Sequence, residues 1–242
     1  MTSEEKKSPK RLSLKLEHER DVLACIGKTG YGKSTWMKLY TEYHTRLFIY
    51  DPKHSYPNVH WVENVLEIEE IMNDPEIKMF RLGISSPDEV PFLAAQSMMA
   101  GNNLLVIEEC ATVFDKGQRS LPDSLKHIIF LGREGRVSIA MVAQRASYIP
   151  IDMRSQCSRI ITFNQHEGSD VDWLNDFFSK EQTKNMSHLP KLVCYDYDGE
   201  KEGDQVVQYS IKEKLEEYIA RQKALEKEET IAGKLEDFFD SD

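Results

Sequence analysis

The sequence predicts an α/β fold, a mostly parallel sheet with helices on both faces. Three observations predict it. Short, wholly apolar runs recur along the chain, as expected of strands buried on both sides. Segments of helical composition lie between them, giving the alternation of a parallel sheet. The first run leads through a glycine-rich stretch into the first such segment, a strand–loop–helix order. With 242 residues and 40% hydrophobic content, the chain has room for one large domain with appendages.

The elements follow in order. Residues 1–20 carry Lys6, Lys7, Lys10 and Arg11 and read as a flexible basic arm; they lack the apolar stretch of a signal peptide. "VLACI" (22–26) is a strand, and "STWMKLYTEYH" downstream is a helix. "RLFIYDP" (46–52) is a strand ending in Asp51, and "IKMFRLG" (77–83) is another. Residues 86–101 form a helix closed by Gly101. "NNLLVIEEC" (102–110) is a buried strand around Leu104–Ile107. Residues 120–135 are a helix starting near Ser120 or Asp123. Ile139 to Val142, with Ala143, form a further core strand, and "SRIITFN" (158–164) the next. In 210–229, Ile211, Leu215, Tyr218, Ile219, Gln222 and Leu225 share one helical face. That helix and the acidic tail after it make a C-terminal appendage, 210–242. The Phe-Phe pair in "LEDFFDSD" reads as part of a solvated tail. No apolar run approaches the length of a bilayer span, so no stable membrane insertion is expected.

The four cysteines and seven histidines match no zinc, redox or HExxH spacing, and the cysteines read as buried free thiols of a reducing compartment. Net charge is −10, unevenly spread: residues 198–242 hold −7 of it. Between Gly132 and Ile160 lie five arginines, at 133, 136, 145, 154 and 159. An acidic total does not exclude a nucleic-acid partner where basic groups share a surface.

Residues 27–35, "GKTGYGKST", fit the phosphate-binding pattern GxxxxGK[ST], here in its strand–loop–helix context. Glycines let successive N–H groups turn inward on a phosphate, and the helix N-terminus adds its positive end. The expected ATP contacts are Gly27, Lys28, Thr29, Gly30, Tyr31, Gly32, Lys33, Ser34 and Thr35. Lys33 reaches the β- and γ-phosphates, and Ser34 holds Mg²⁺. The guanine-reading NKxD motif is absent, which argues against a GTPase. At the end of the 102–110 strand stand Glu108 and Glu109. Glu108 is assigned to the metal, with Ser34, and Glu109 to the attacking water. The core strand that follows ends in Gln144 and Arg145, where a turn residue is commoner. If its strand lies beside the acid-pair strand, the Gln144 amide contacts the γ-phosphate or the water.

The segments "GKTGYGKST", "FIYDPKHSY", "LLVIEEC" and "GREGRVSIAMVAQRAS…RSQCSRIITF" together resemble the HerA/FtsK superfamily of DNA-pumping ATPases, from about residue 21 to 165. Within it the chain is most similar to the genome-packaging ATPases of tailless, membrane-containing phages and related large DNA viruses. The resemblance implies a P-loop NTPase domain (RecA/ASCE-like) over 21–209 and ATP hydrolysis coupled to double-stranded DNA translocation. It implies a homo-oligomeric ring, hexamer or pentamer, a capsid or vertex protein as partner, and location in the host cytoplasm or at the virion vertex. It also implies a trans-acting arginine finger, Arg133, with Arg136 as the alternative. The sequence departs from the family pattern in three places: Glu108 replaces the commoner Asp, "AQRA" stands for "TQRP", and Arg136 occupies a usual glycine position. The DNA grip is assigned to Lys116 and Arg119, in the loop after the acid pair. The alternatives are a cellular or plasmid DNA translocase, a filamentous-phage export ATPase and, less favoured, a small-molecule P-loop kinase.

Overall fold

Each apolar run read as a strand forms one. The structure, a computed structural model, describes residues 20–114 and 121–239. The first half runs β1 (Val22–Ile26), α1 (Lys33–Thr41), β2 (Arg46–Tyr50), β3 (His60–Trp61), α2 (Val65–Met72), β4 (Phe80–Ile84), α3 (Val90–Ala100) and β5 (Asn103–Ile107). The second half runs α4 (Asp123–Leu131), β6 (Val137–Ala143), α5 (Ile151–Arg154), β7 (Arg159–Thr162), α6 (Gly168–Leu174), α7 (Lys180–Met186), β8 (Val193–Asp198), β9 (Val206–Ser210) and α8 (Lys212–Phe239). The described strands form one sheet in the order β3-β4-β2-β5-β6-β1-β7-β8-β9. From β3 to β7 every neighbouring pair is parallel, and β8 and β9 close the sheet antiparallel.

Alternation within the strands divides the core into two layers. Val22, Ala24 and Ile26 of β1, Leu105 and Ile107 of β5, and Ile139 and Met141 of β6 face the layer that holds α3 and α4. Leu23, Cys25, Leu104, Val106, Ala140 and Val142 face the other, with Trp36 and Met37 of α1. Helices thus cover both faces, as expected. β4 starts at Phe80, later than the apolar run that begins at Ile77, because the Ile77 N–H donates to the Asp74 carbonyl in a turn (3.1 Å).

Three arginines satisfy carbonyls at helix ends, where the last turn has no partner of its own. Arg46 donates to Ala100, Gly101 and Asn102 after α3 (2.9, 3.2 and 2.9 Å). Arg81 donates to Thr41 and His44 after α1 (2.7 and 2.8 Å). Arg20 donates to Ile128 and Ile129 of α4 and to Val137 (3.2 Å). Arg20, grouped by the sequence with the basic arm, is therefore fastened to the domain.

The root of α8 packs on the layer containing α1. Ile211 is buried, and Leu215, Tyr218 and Gln222 are half-buried. Ile219 and Leu225, expected on the same face, are 41% and 48% exposed. The domain-facing stripe is thus narrower than the apolar pattern. Arg221 forms a bidentate ion pair with Glu42 of the α1 end (3.1 and 2.8 Å). Because burial outweighs exposed ion pairs, Ile211→Ala should cost about 2–4 kcal/mol. Arg221→Ala should cost about 1 kcal/mol or less. Urea unfolding midpoints of the two variants check this ordering.

Candidate active site

The glycine-rich loop between β1 and α1 is built to face an anion. Gly27, Gly30 and Gly32 have φ of 147°, 80° and 121°, which side-chain-bearing residues rarely adopt. A Cβ on Gly27 would lie 2.6 Å from that of Phe163, so the loop base tolerates no side chain. The Gly27 N–H donates to Ala143 (3.3 Å) and the Lys28 N–H to Asn164 (2.9 Å), tying the loop to the ends of β6 and β7. The Tyr31 N–H donates back to Lys28 (3.3 Å). Among the described residues, the N–H groups of Gly30, Gly32, Lys33 and Ser34 make no backbone hydrogen bond. They sit at the loop crown and the start of α1, where a phosphate would take them. Lys28, Thr29 and Gly30 are exposed, and Ser34 and Thr35 are half-buried on the first turn of α1. Lys33 is buried, and among the described residues its ammonium donates to the Lys28 carbonyl alone (3.3 Å). Burial holds it below the usual lysine range, so an arriving anion would meet a poorly compensated cation.

At the end of β5, Glu108 is 3% exposed and Glu109 follows with left-handed backbone (φ 52°, ψ 55°). The Tyr56 hydroxyl donates to Glu108 Oε1 (2.5 Å), and Lys53 Nζ donates to Glu109 Oε1 (2.6 Å). Burial pushes Glu108 up to about 7; the Tyr56 bond opposes this, and Asp51 and Glu109 add to it. A buried, crowded carboxylate and a hydroxyl such as that of Ser34 are the oxygen ligands that suit a hard divalent cation such as Mg²⁺.

The strands that lead into the glycine-rich loop and the acid pair are not neighbours: β6 lies between β1 and β5. Gln144 follows β6 directly, exposed at the rim where the P-loop and the acid pair stand. The sequence expected it next to the acid-pair strand, and β5 and β6 do pair in parallel. Arg145 turns away, bonding to fully buried Asp170 (3.1 Å) and to Glu167 (3.4 Å). Arg159 likewise pairs with Asp196 (2.9 Å).

Arg133 and Arg136 precede β6 and so lie at the opposite rim, both exposed. Seven strand residues separate them from Gln144, about 23 Å at 3.3 Å per residue. Within one chain they do not reach the P-loop, and the five arginines of 132–160 do not converge on one surface. Lys116 and Arg119 lie outside the described residues. The sequence reading did not assign Tyr56 and Lys53 to the site. Both sit in the "DPKHSY" motif, where neither residue type nor spacing marks a phosphate or metal site.

The nested glycine loop, the buried lysine and an acid pair across an intervening strand define a P-loop NTPase of the kind with an extra strand between its two phosphate-handling strands. No protein-family model matches the chain, and no curated protein matches it. Among solved structures it is similar to the genome packaging NTPase B204 from Sulfolobus turreted icosahedral virus 2, in complex with AMPPCP. The TM-score is 0.63 and the identity 16%, over 79% of this chain and 97% of that one. It is also similar to B204, the DNA-packaging ATPase from Sulfolobus Turreted Icosahedral Virus (TM-score 0.59, 17% identity, 78% and 97% covered). VirB4 of Thermoanaerobacter pseudethanolicus matches with TM-score 0.52 and 10% identity, over 78% and 88%. The fold implied by the resemblance is therefore the fold observed.

The raised Glu108 predicts a pH dependence. Its folded value, about 7, lies above the ordinary 4.5. Between these values the folded protein keeps a proton that the unfolded chain has lost. Stability therefore falls as pH rises through that window, by about 3 kcal/mol for this group. Urea midpoints at pH 5 and 8, without nucleotide, should show the fall in wild type and a smaller one in Glu108→Gln.

Proposed function

We propose that the protein is an ATP-driven double-stranded DNA translocase that packages a viral genome into a capsid, hydrolysing ATP at the subunit interfaces of a ring. The observation that carries this reading is the division of groups between the two rims. The P-loop, Gln144 and the acid pair stand at one, and at the other Arg133 and Arg136, unpaired among the described residues. A site so divided is completed by the arginine of a neighbour. The B204 packaging enzymes support the reading further, since they are matched over 97% of their length. The ring is a hexamer or pentamer, its partner a capsid or vertex protein, its place the host cytoplasm or the virion vertex. No described helix is long and apolar enough to cross a membrane.

In this reading Lys33 and the free N–H groups of the loop bind the phosphates of ATP. Ser34 and Glu108 would hold Mg²⁺, which supplies positive charge against the β- and γ-phosphates when bound. Glu109 accepts a hydrogen bond from the attacking water and polarises it. Gln144 reads the γ-phosphate or that water. Arg133 enters the neighbouring subunit's site, a contribution worth ~10³–10⁵ in rate for such fingers. Lys116 and Arg119 grip DNA phosphates, which suits a motor indifferent to sequence.

The direct test is ATPase rate with and without duplex DNA. Stimulation should be independent of sequence and fall steeply with salt as counterions compete. Lys116→Ala with Arg119→Ala should reduce stimulation and spare basal turnover. Lys33→Ala should lose ATP binding, whereas Glu109→Gln should keep it and lose about 10²–10⁴-fold in turnover. DNA-independent hydrolysis at every salt concentration would refute the translocase reading.

The ring makes a separate claim. Lys33→Ala and Arg133→Ala subunits, each inactive alone, should regain part of the activity when mixed, because some interfaces then hold both groups. Absence of rescue in rings shown to be mixed would exclude Arg133 as the finger.

A further inference from the structure

The loop that follows β2 grips both acids at the end of β5. Its anchor is Asp51, buried at the strand end. The Asp51 carboxylate accepts the N–H of Lys53 (2.9 Å), the N–H of Ser55 (2.6 Å) and the Ser55 hydroxyl (2.8 Å). The turn so fixed aims two side chains at β5. The Tyr56 hydroxyl reaches Glu108, and the Lys53 ammonium reaches Glu109.

The Glu109 backbone is held independently. Its carbonyl accepts both the N–H and the hydroxyl of Thr112, each at 2.8 Å. That hydroxyl also shares a hydrogen bond with the Tyr50 hydroxyl (2.7 Å). The Glu109 side chain has no such scaffold. Among the described residues, Lys53 is the one group hydrogen-bonded to its carboxylate. A carboxylate on three free torsions, 25% exposed, would otherwise sample many directions.

We propose that Lys53 is the positioning residue of the Glu109 carboxylate, and that the 51–56 loop exists at this rim to carry it. The inference rests on the reading of Glu109 as the group that polarises the water. The ammonium occupies Oε1 and fixes the carboxylate plane, leaving Oε2 to accept from the water. Lys53 is 66% exposed, so it has no packing duty, and an ion pair this open adds little to stability. Its effect therefore belongs in turnover.

The test compares the full-length Lys53→Met, Lys53→Arg and Glu109→Gln variants with wild type. Lys53→Met should lower kcat about 10–100-fold, the usual cost of losing an outer-shell partner, while the KM for ATP and the affinity for a fluorescent ATP analogue stay within about twofold. Lys53→Arg, which keeps a donor and a charge, should recover most of the loss. A readout apart from activity is acylation of Lys53 by an amine-reactive ester, followed by mass spectrometry. A paired ammonium is protected, so labelling should be faster in Glu109→Gln than in wild type. Turnover of Lys53→Met equal to or above wild type overturns the proposal, as does equal labelling of Lys53 in the two proteins. Wild-type turnover by Glu109→Gln is a different failure: it removes the assignment of Glu109, and this inference with it.

Discussion

The placement of β6 between β1 and β5 is the constraint on which the site depends. Neighbouring strands lie about 4.8 Å apart, so the ends of β1 and β5 stand about 10 Å apart with one strand end in the gap. The register makes the alignment specific. Ile26 is level with Ala143, and Ile107 with Met141. Beyond the paired residues, the Gly27 N–H still donates to the Ala143 carbonyl (3.3 Å), holding the loop base to the end of β6. In the proposed reading, the glycine-rich loop, the Gln144 amide and Glu109 would thus face a common ligand across the end of β6. A shift of one residue would turn every side chain of β6 to the other layer. All seven residues of β6 are buried, so the hydrophobic core itself fixes the geometry of the rim.

Charge at that rim is arranged in partial pairs. Lys33 is buried with a carbonyl as its hydrogen-bond partner, and Glu108 is buried with a phenol. Neither is fully compensated, and burial moves both away from their ordinary proton affinities. Cation and anion sit on opposite sides of the gap, where an anionic nucleotide and a divalent cation would each meet the charge they need. The loop after β2 holds Glu108 and Glu109 from outside the P-loop, and Asp51 braces that loop through the Lys53 N–H and through Ser55, the residue before Tyr56.

The parts of the fold legible in the sequence were those where burial is two-sided. β1, β2, β5 and β6 are near-continuous apolar runs, and β7 has an apolar centre, Ile160 and Ile161, the pattern of a covered parallel strand. The edge elements were not legible for the same reason. β3 has two residues, and β8 ("VCYDYD") and β9 ("VVQYS") mix polar with apolar positions, so neither length nor pattern marks them as strands. The P-loop and acid pair were readable because their chemistry sits in contiguous residues. Lys53 and Tyr56 lie more than fifty residues before the acids they bind, and only the pairing of β2 with β5 brings them together.

The opposite rim supplies the last step. Three arginines there or nearby, Arg20, Arg46 and Arg81, have their guanidinium donors taken up by helix-end carbonyls. Arg133 and Arg136 lie just beyond such an end, where a cation would ordinarily serve α4 in the same way. Arg20 already fills that role for α4, and among the described residues neither Arg133 nor Arg136 makes a side-chain hydrogen bond or ion pair. Arg136 also adopts left-handed backbone, φ 53°, at the position where the family pattern usually has glycine. An arginine held in a conformation that costs a non-glycine residue about 1–2 kcal/mol keeps its side chain in solvent without compensation inside the chain. Water solvates both exposed guanidinium groups, and each is left open to a partner, as the proposed subunit-to-subunit site would require.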